Sequence, residues 1–179
     1  MTQLKKWKEI KRQIVFKKYS WTIEQRDYEM LDGEIVDWYI ATDKSGVCVF
    51  ALTDDNKVVT ARMYRPGPNA IFRELPGGKI ENGQDLKSAG MHELLEETGF
   101  TGEVQWIGKW YEDARVDRTR YVIVATNCKK IGDQQLDVHD EFIEIELVDI
   151  PEFVKQVRRG ELTDTAGAML ALDHLGLLN

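Results

Sequence analysis

The sequence GKIENGQDLKSAGMHELLEETGF at residues 78–100 contains the clearest structural pattern in this 179-residue chain. It begins with glycine-rich sequence and continues as a helix predicted over residues 85–98, with Leu86, Gly90 and Leu94 on one face. Asp85 is placed to cap the first turn, and Gly99 is placed to end the helix, because glycine readily adopts the left-handed conformation that closes a helix.

The segments on either side of this helix are mostly strands. Before the helix, the sequence predicts several strands, then a hairpin, and then a loop that contains two of the four prolines. After the helix, it predicts further strands and two closing helices. The predicted strands are residues 13–16, 21–24, 35–40, 46–52, 57–64, 104–110, 121–126 and 142–148, and the closing helices are 151–159 and 165–175. This mixed order predicts an α/β (α+β) fold, an α/β/α sandwich rather than a doubly wound parallel sheet.

Composition limits the kinds of partner. The formal net charge of −7 disfavours a nucleic-acid polymer as ligand, although a small anion bound with a divalent cation stays compatible with it. No stretch approaches the roughly 20 apolar residues of a membrane helix, so no membrane association is expected. Cys48 and Cys128 lie in apolar runs, which favours two buried thiols over a disulfide. A cytoplasmic protein is therefore expected.

Three carboxylates on the predicted helix break local rules of helix stability. Glu93, Glu96 and Glu97 share one surface, where like charges repel, and they lie in the last turns, where the helix dipole disfavours anions. His92 is the only nearby candidate partner. A solvated acidic face is one explanation. A site for Mg²⁺ or Mn²⁺ is the other, and Gly77-Gly78 favours it, because the backbone there can approach closely and offer a carbonyl oxygen.

Residues 78–100 resemble the Nudix box over all 23 positions, with matches at Gly78, Glu93, Leu94, Glu96, Glu97 and Gly99. Two positions depart from the pattern. Gln84 stands where the box has glutamate, and His92 stands where it has an arginine that orients a box carboxylate. Gln84 can still offer a carbonyl oxygen, but His92 cannot form the bidentate fork of arginine.

Outside the box the chain resembles the ADP-ribose and nucleoside-diphosphate-sugar pyrophosphatase branch of this family. The similar stretches are residues 63–65, 74–79, 140–144 and 160–166. The resemblance implies a Nudix-like α/β/α sandwich over residues 44–179, preceded by a small β-rich domain over residues 1–43 that builds a swapped homodimer. It also implies hydrolysis of the pyrophosphate bond of a nucleotide sugar.

The same resemblance assigns roles to individual residues. Glu93, Glu97 and the carbonyl of Gly77 are expected to bind the metal, with Glu96 as a further ligand or a base. Glu141 is expected to take the proton of the attacking water. Arg65 is expected to bind the substrate phosphates or the terminal ribose. Arg115, Arg118 and Arg120, which lie where the branch has a proline-containing loop, are weaker candidates for the same role.

Three alternatives stay open from the sequence. A related enzyme could act on dinucleoside polyphosphates or nucleoside triphosphates. A catalytically weakened protein of the same fold could serve as a nucleotide-binding sensor. A protein that uses its acidic helix only for interaction would show no stabilisation by nucleotides.

Overall fold

A computed structural model describes residues 4–136 and 142–178 of the chain. These residues belong to two compact units. The first contains the chain up to Lys44 together with Tyr111–Thr119, and the second contains Ser45–Trp110 and the chain from Arg120 onward. In the part of the chain that is described, no helix has the length and apolar character needed to cross a membrane.

The first unit is a three-stranded antiparallel sheet in the order β1-β2-β3, formed by Lys8–Lys18, Trp21–Glu29 and Ile35–Ala41. The segment Tyr111–Thr119 is attached to the end of β3, where the backbone N–H of Ala41 donates to the carbonyl of Arg115 at 2.9 Å. All residues of β1 are exposed, so this strand has no covering layer within the unit.

The second unit is built on a seven-stranded sheet in which β10, β5, β4, β9 and β8 follow one another, β6 pairs with β5, and β7 pairs with β4. The pairing of β4 with β9 is parallel, and the other pairings are antiparallel. The strands are Gly46–Thr53 (β4), Lys57–Arg65 (β5), Ala70–Glu74 (β6), Gly77–Lys79 (β7), Phe100–Trp110 (β8), Arg120–Lys130 (β9) and Glu144–Asp149 (β10). The helices are Leu86–Thr98 (α1), Ile150–Arg158 (α2) and Thr165–His174 (α3).

Strand β4 shows how the sheet separates two cores. Its side chains alternate, as the pleat of a strand requires. Cys48 and Phe50 belong to one core, which α2 and α3 supply with Phe153, Val157 and Leu172. Val47 and Val49 belong to the other core, which α1 supplies with Ala89 and Leu94. Helices therefore cover both faces of the sheet, and the predicted α/β/α sandwich is confirmed.

One edge of β4 is shared by two partners, and the sequence did not predict this. Strand β5 pairs with β4 at Ala51 and Leu52, whereas β7 pairs with β4 from Gly46 to Cys48. Residues 77–79 were not among the predicted strands, yet they form a short strand, because the part of β4 that β5 leaves unpaired provides backbone partners. Strand β6 was also missed.

The two thiols are free and buried, as predicted. Burial raises the pKa of Cys128 to about 11, and burial raises that of Cys48 further still. Neither thiol is therefore a reactive thiolate near neutral pH.

Candidate functional site

Helix α1 has well-defined ends, which determine where its carboxylates lie along the helix axis. Oδ1 of Asp85 accepts hydrogen bonds from the backbone N–H groups of Lys87 and Ser88, both at 3.1 Å. The hydrogen bonds with Ser88 lower the pKa of Asp85 below its usual value. At the other end Gly99 adopts a left-handed φ of 73°, and its N–H donates to the carbonyl of Leu95. Both predicted ends of the helix are confirmed.

The glycine pair in β7 allows two close approaches. A Cβ on Gly77 would lie 2.3 Å from the carbonyl oxygen of Val47, so a side chain there would prevent the pairing of β7 with β4. A Cβ on Gly78 would lie 2.4 Å from Oε1 of Glu93. The backbone N–H of Gly77 donates to Oε2 of Glu97 at 2.9 Å. The glycine backbone therefore lies directly against two carboxylates of α1.

An open cleft of about 750 Å³ brings together five of the residues to which the sequence assigned a role, namely Arg65, Gly77, Glu93, Glu96 and Glu97. The cleft is also lined by Lys79, Glu81, Gln84 and His92. Lys79 and Glu81 had no predicted role. Both follow the glycine pair closely in the chain, and this proximity is the signal that could have identified them.

The two departures from the Nudix box have local partners. Oε1 of Gln84 accepts from the backbone N–H of Glu81 at 3.1 Å, and the backbone N–H of Gln84 donates to the carbonyl of Glu81 at 3.0 Å. Gln84 therefore closes the loop ahead of α1, and its side-chain carbonyl oxygen already accepts the hydrogen bond from Glu81. Nδ1 of His92 lies 3.1 Å from Oε2 of Glu96, so the histidine contacts a box carboxylate through one nitrogen.

The donors in the cleft have the chemistry of a site for a hard cation. Glu93, Glu96 and Glu97 offer carboxylate oxygens, and Gly77 can add a carbonyl oxygen, which is the ligand type of Mg²⁺ and Mn²⁺. Within residues 4–136 and 142–178, however, no three or more His, Cys, Asp or Glu side chains are arranged to hold an ion. The donor set fits such a cation in kind, and the carboxylates would have to rotate to surround it.

Arg65 reaches the cleft from the end of β5 and is held by Glu74 of β6. Its Nε and Nη2 donate to the same oxygen, Oε2 of Glu74, at 2.8 and 2.5 Å. Burial opposes the charge of Arg65, but the hydrogen bonds and the charge of Glu74 outweigh it and raise the pKa of Arg65. Glu74 is only 1% exposed. Sequence reasoning gave it no role, because its burial depends on the β5–β6 pairing.

The other predicted substrate residues are not among those that line the cleft. Arg115 and Arg118 belong to the first unit. The guanidinium of Arg115 lies 5.5 Å from the ring centroid of Trp38. Arg118 pairs with Asp43 at 2.8 Å and with Glu112 at 2.6 Å. Glu141, the predicted base, lies outside the described residues.

Comparisons with known proteins agree with the family that residues 78–100 indicate. The family model described as NUDIX domain matches residues 42–168. The ADP-ribose pyrophosphatase of Bacillus subtilis (strain 168) is 28% identical over 153 residues, which cover 84% of this chain and 82% of that protein. The methanol dehydrogenase activator of Bacillus methanolicus is 27% identical over 180 residues, which cover 99% of this chain and 96% of that protein.

A solved structure has the same fold. The crystal structure of an ADP compounds hydrolase superposes with a TM-score of 0.84 at 17% identity, covering 98% of this chain and 97% of that one. Since the family model covers more than half of the chain, the membership predicted from residues 78–100 is confirmed. The chain belongs to the Nudix family, as a Nudix hydrolase that resembles the ADP-ribose pyrophosphatase branch.

Proposed function

We propose that this Nudix hydrolase cuts the pyrophosphate bond of ADP-ribose or another nucleoside diphosphate sugar and releases a nucleoside monophosphate and a sugar phosphate. One observation carries the proposal: a single cleft combines the three box carboxylates with the guanidinium of Arg65. The carboxylates suit a metal ion, and the guanidinium suits a phosphate. The similarity to the ADP-ribose pyrophosphatase of Bacillus subtilis, over 84% of this chain, supports this substrate class.

Magnesium or manganese is the proposed cofactor. Glu93, Glu97 and the Gly77 carbonyl would hold it, and Glu96 would be a further ligand or a base. Such a cation, when bound, neutralises pyrophosphate charge and makes a water more acidic. Glu97 already accepts a hydrogen bond from the N–H of Gly77, so the strand and the helix contribute to one small region. Glu141 stays the proposed acceptor of the proton of the attacking water.

Arg65 is the proposed phosphate ligand. A guanidinium suits this role because its planar fork of donors matches the geometry of phosphate oxygens. Its side chain is 41% exposed although it is paired with a buried carboxylate. Its Nη1 has no hydrogen-bond partner in the part of the chain that the structure describes. Arg115 and Arg118 are weaker candidates, since residues of the first unit already engage both side chains.

A hydrolysis screen tests the proposal. Purified protein is incubated with ADP-ribose, other nucleoside diphosphate sugars, a dinucleoside polyphosphate and nucleoside triphosphates, each with Mg²⁺, with Mn²⁺ and with excess chelator. The expected result is release of AMP from ADP-ribose with either metal and none with chelator. Equal turnover in chelator would contradict the metal site. Preference for triphosphates or dinucleoside polyphosphates would support the alternative substrates, and binding without turnover would support a sensor.

A second candidate function rests on the full-length similarity to the methanol dehydrogenase activator of Bacillus methanolicus. Under this candidate, the hydrolase raises the turnover of an alcohol dehydrogenase. Adding the protein to a methanol dehydrogenase assay, with and without Mg²⁺, would test this role. An unchanged oxidation rate would exclude activation of the dehydrogenase used.

We also propose a homodimer formed through a domain of residues 1–43, ahead of a catalytic domain over residues 44–179. Strand β1, in which every residue is exposed, supports this assembly. Location in the cytoplasm is proposed because both cysteines are free thiols, which reducing compartments preserve.

A further inference from the structure

The Arg65–Glu74 pair has an asymmetry that an ordinary buried ion pair lacks. A guanidinium and a carboxylate usually form two parallel hydrogen bonds that use both carboxylate oxygens. Here both donor nitrogens of Arg65 converge on Oε2 of Glu74. The other oxygen, Oε1, is buried and has no hydrogen-bond partner among the described residues.

This arrangement is costly if its only role is stability. A buried carboxylate oxygen without a partner loses its hydration and gains nothing in return. Replacing a buried ion pair by apolar residues is often neutral or stabilising, so burial of Glu74 is weak support for a purely structural role. A positioning role accounts for the pairing, because Glu74 binds the Nε–Nη2 edge of a guanidinium whose residue also lines the cleft.

A second, partly buried ion pair includes another carboxylate whose charge acts on Arg65. Arg120 donates to Oδ1 of Asp164 at 2.9 Å, and the side chains are 18% and 13% exposed. The charges of Asp164 and Glu97 both act on Arg65. Asp164 lies in residues 160–166, a stretch identified only by its resemblance to the pyrophosphatase branch. Glu74, Glu97 and Asp164 therefore all favour the charged form of Arg65.

We propose that Glu74 is a positioning residue, which holds the Arg65 guanidinium in the orientation that receives the diphosphate of the substrate. This inference rests on the proposed role of Arg65 as a phosphate ligand. It assigns Glu74 to substrate binding rather than to the metal or to proton transfer. Loss of Glu74 should therefore act through KM and leave kcat and the magnesium requirement nearly unchanged.

A double-mutant cycle tests the proposal with Glu74→Gln, Arg65→Gln and the double variant, assayed on ADP-ribose with Mg²⁺. Each single substitution should raise KM roughly tenfold, as expected for one charge-assisted hydrogen bond, while kcat changes less than about threefold. The double variant should show no further rise beyond the Arg65→Gln variant, because both residues act through one contact. Wild-type KM in the Glu74→Gln variant, or a double variant with the product of the two single effects, would overturn the proposal.

Glu146→Gln is the matched control. Glu146 pairs with Arg73, the neighbour of Glu74 on β6, through a hydrogen bond of 2.6 Å, and neither residue lines the cleft. Its removal should leave KM within twofold of wild type even if thermal unfolding shifts. If Glu74→Gln fails to fold, Glu74→Asp replaces it. That variant keeps the charge but withdraws the carboxylate from the guanidinium by one methylene, so KM should still rise, and an unchanged KM would overturn the proposal.

A binding measurement tests the role of Glu74 independently of the proposed hydrolysis. If the wild-type protein does not hydrolyse ADP-ribose, the proposed function fails, and calorimetric titration with ADP and Mg²⁺ decides the role of Glu74. Roughly tenfold weaker ADP binding in both single variants, and no further loss in the double, would support positioning. Equal affinity in all variants, or no ADP binding by the wild type, would overturn it.

Discussion

A methyl group on residue 78 would lie 2.4 Å from Oε1 of Glu93, well inside van der Waals contact. The clashing atoms are the far end of a flexible side chain, so Gly78→Ala should change the unfolding temperature little. The carboxylate must move, however, and a displacement of about 1 Å at a catalytic site can cost about a hundredfold in rate. We expect that loss in kcat/KM on ADP-ribose.

Gly132→Ala is the control for this prediction, because nothing lies within 4 Å of a Cβ at Gly132. It should keep wild-type activity. An active Gly78→Ala variant would mean that the position of Glu93 seen here is not required for turnover.

The carboxylates themselves should differ in importance. Glu93 and Glu97 lie four residues apart and stack on one line of α1, whereas Glu96 is rotated toward His92. Replacing Glu93 or Glu97 by Gln should lower kcat roughly a thousandfold, about 4 kcal/mol of transition-state stabilisation. Glu141→Gln should lower kcat by about 10²–10⁴-fold with nearly unchanged KM, the usual effect of losing a general base.

Steady-state kinetics at saturating Mg²⁺ would measure this ranking. Full activity in both the Glu93 and the Glu97 variants would remove the proposed metal site. Near wild-type activity of the Glu141 variant would shift the role of base to Glu96.

At the scale of elements, the start of α1 should be sensitive to pH. The pKa of Asp85 is lowered by its hydrogen bonds to Ser88, so its capping contribution is present above the unfolded pKa of about 3.9 and is lost as pH falls through the folded value. Asp85→Ala should therefore lower Tm by a few degrees at pH 7, and the difference from wild type should shrink at pH 3.

Asp85→Asn is the control, since asparagine caps helices without a charge. Its Tm should stay close to wild type at pH 7. A deficit of the alanine variant that is equal at both pH values would show that the carboxylate does not stabilise the helix through its charge.

The elements also show how far sequence reasoning extends. Helix α1 and its three carboxylates could be predicted because caps and spacings of three and four residues are local properties. Strand β7 could not, since a three-residue strand with two glycines exists only where distant β4 offers free backbone groups. The same limit applies to Glu74, whose burial follows from long-range pairing, and to Arg115, whose place depends on the path of the chain into the first unit.

For the whole molecule we predict a homodimer. The apolar side chains of Ile10, Ile14 and Phe16 on β1 are 44%, 59% and 50% exposed, and uncovered apolar surface on an edge strand usually marks an interface. Light scattering at micromolar concentration should give about twice the chain mass of 20.7 kDa. Ile14→Lys should shift the protein toward the monomer.

Leu147→Lys is the control, because Leu147 is similarly exposed, at 49%, on the second unit. It should leave the mass unchanged. A wild-type mass near that of one chain would contradict the dimer.

The first unit is assembled from two separate pieces of the chain, since Tyr111–Thr119 joins the strands that end at Ala41. The polypeptide therefore passes between the units three times, at Lys44, at Trp110 and at Thr119. A module of this kind cannot be gained or lost in evolution as one terminal cassette. Deletion of the N-terminal strands alone would leave Tyr111–Thr119, which connects β8 to β9, without its backbone partner at Ala41.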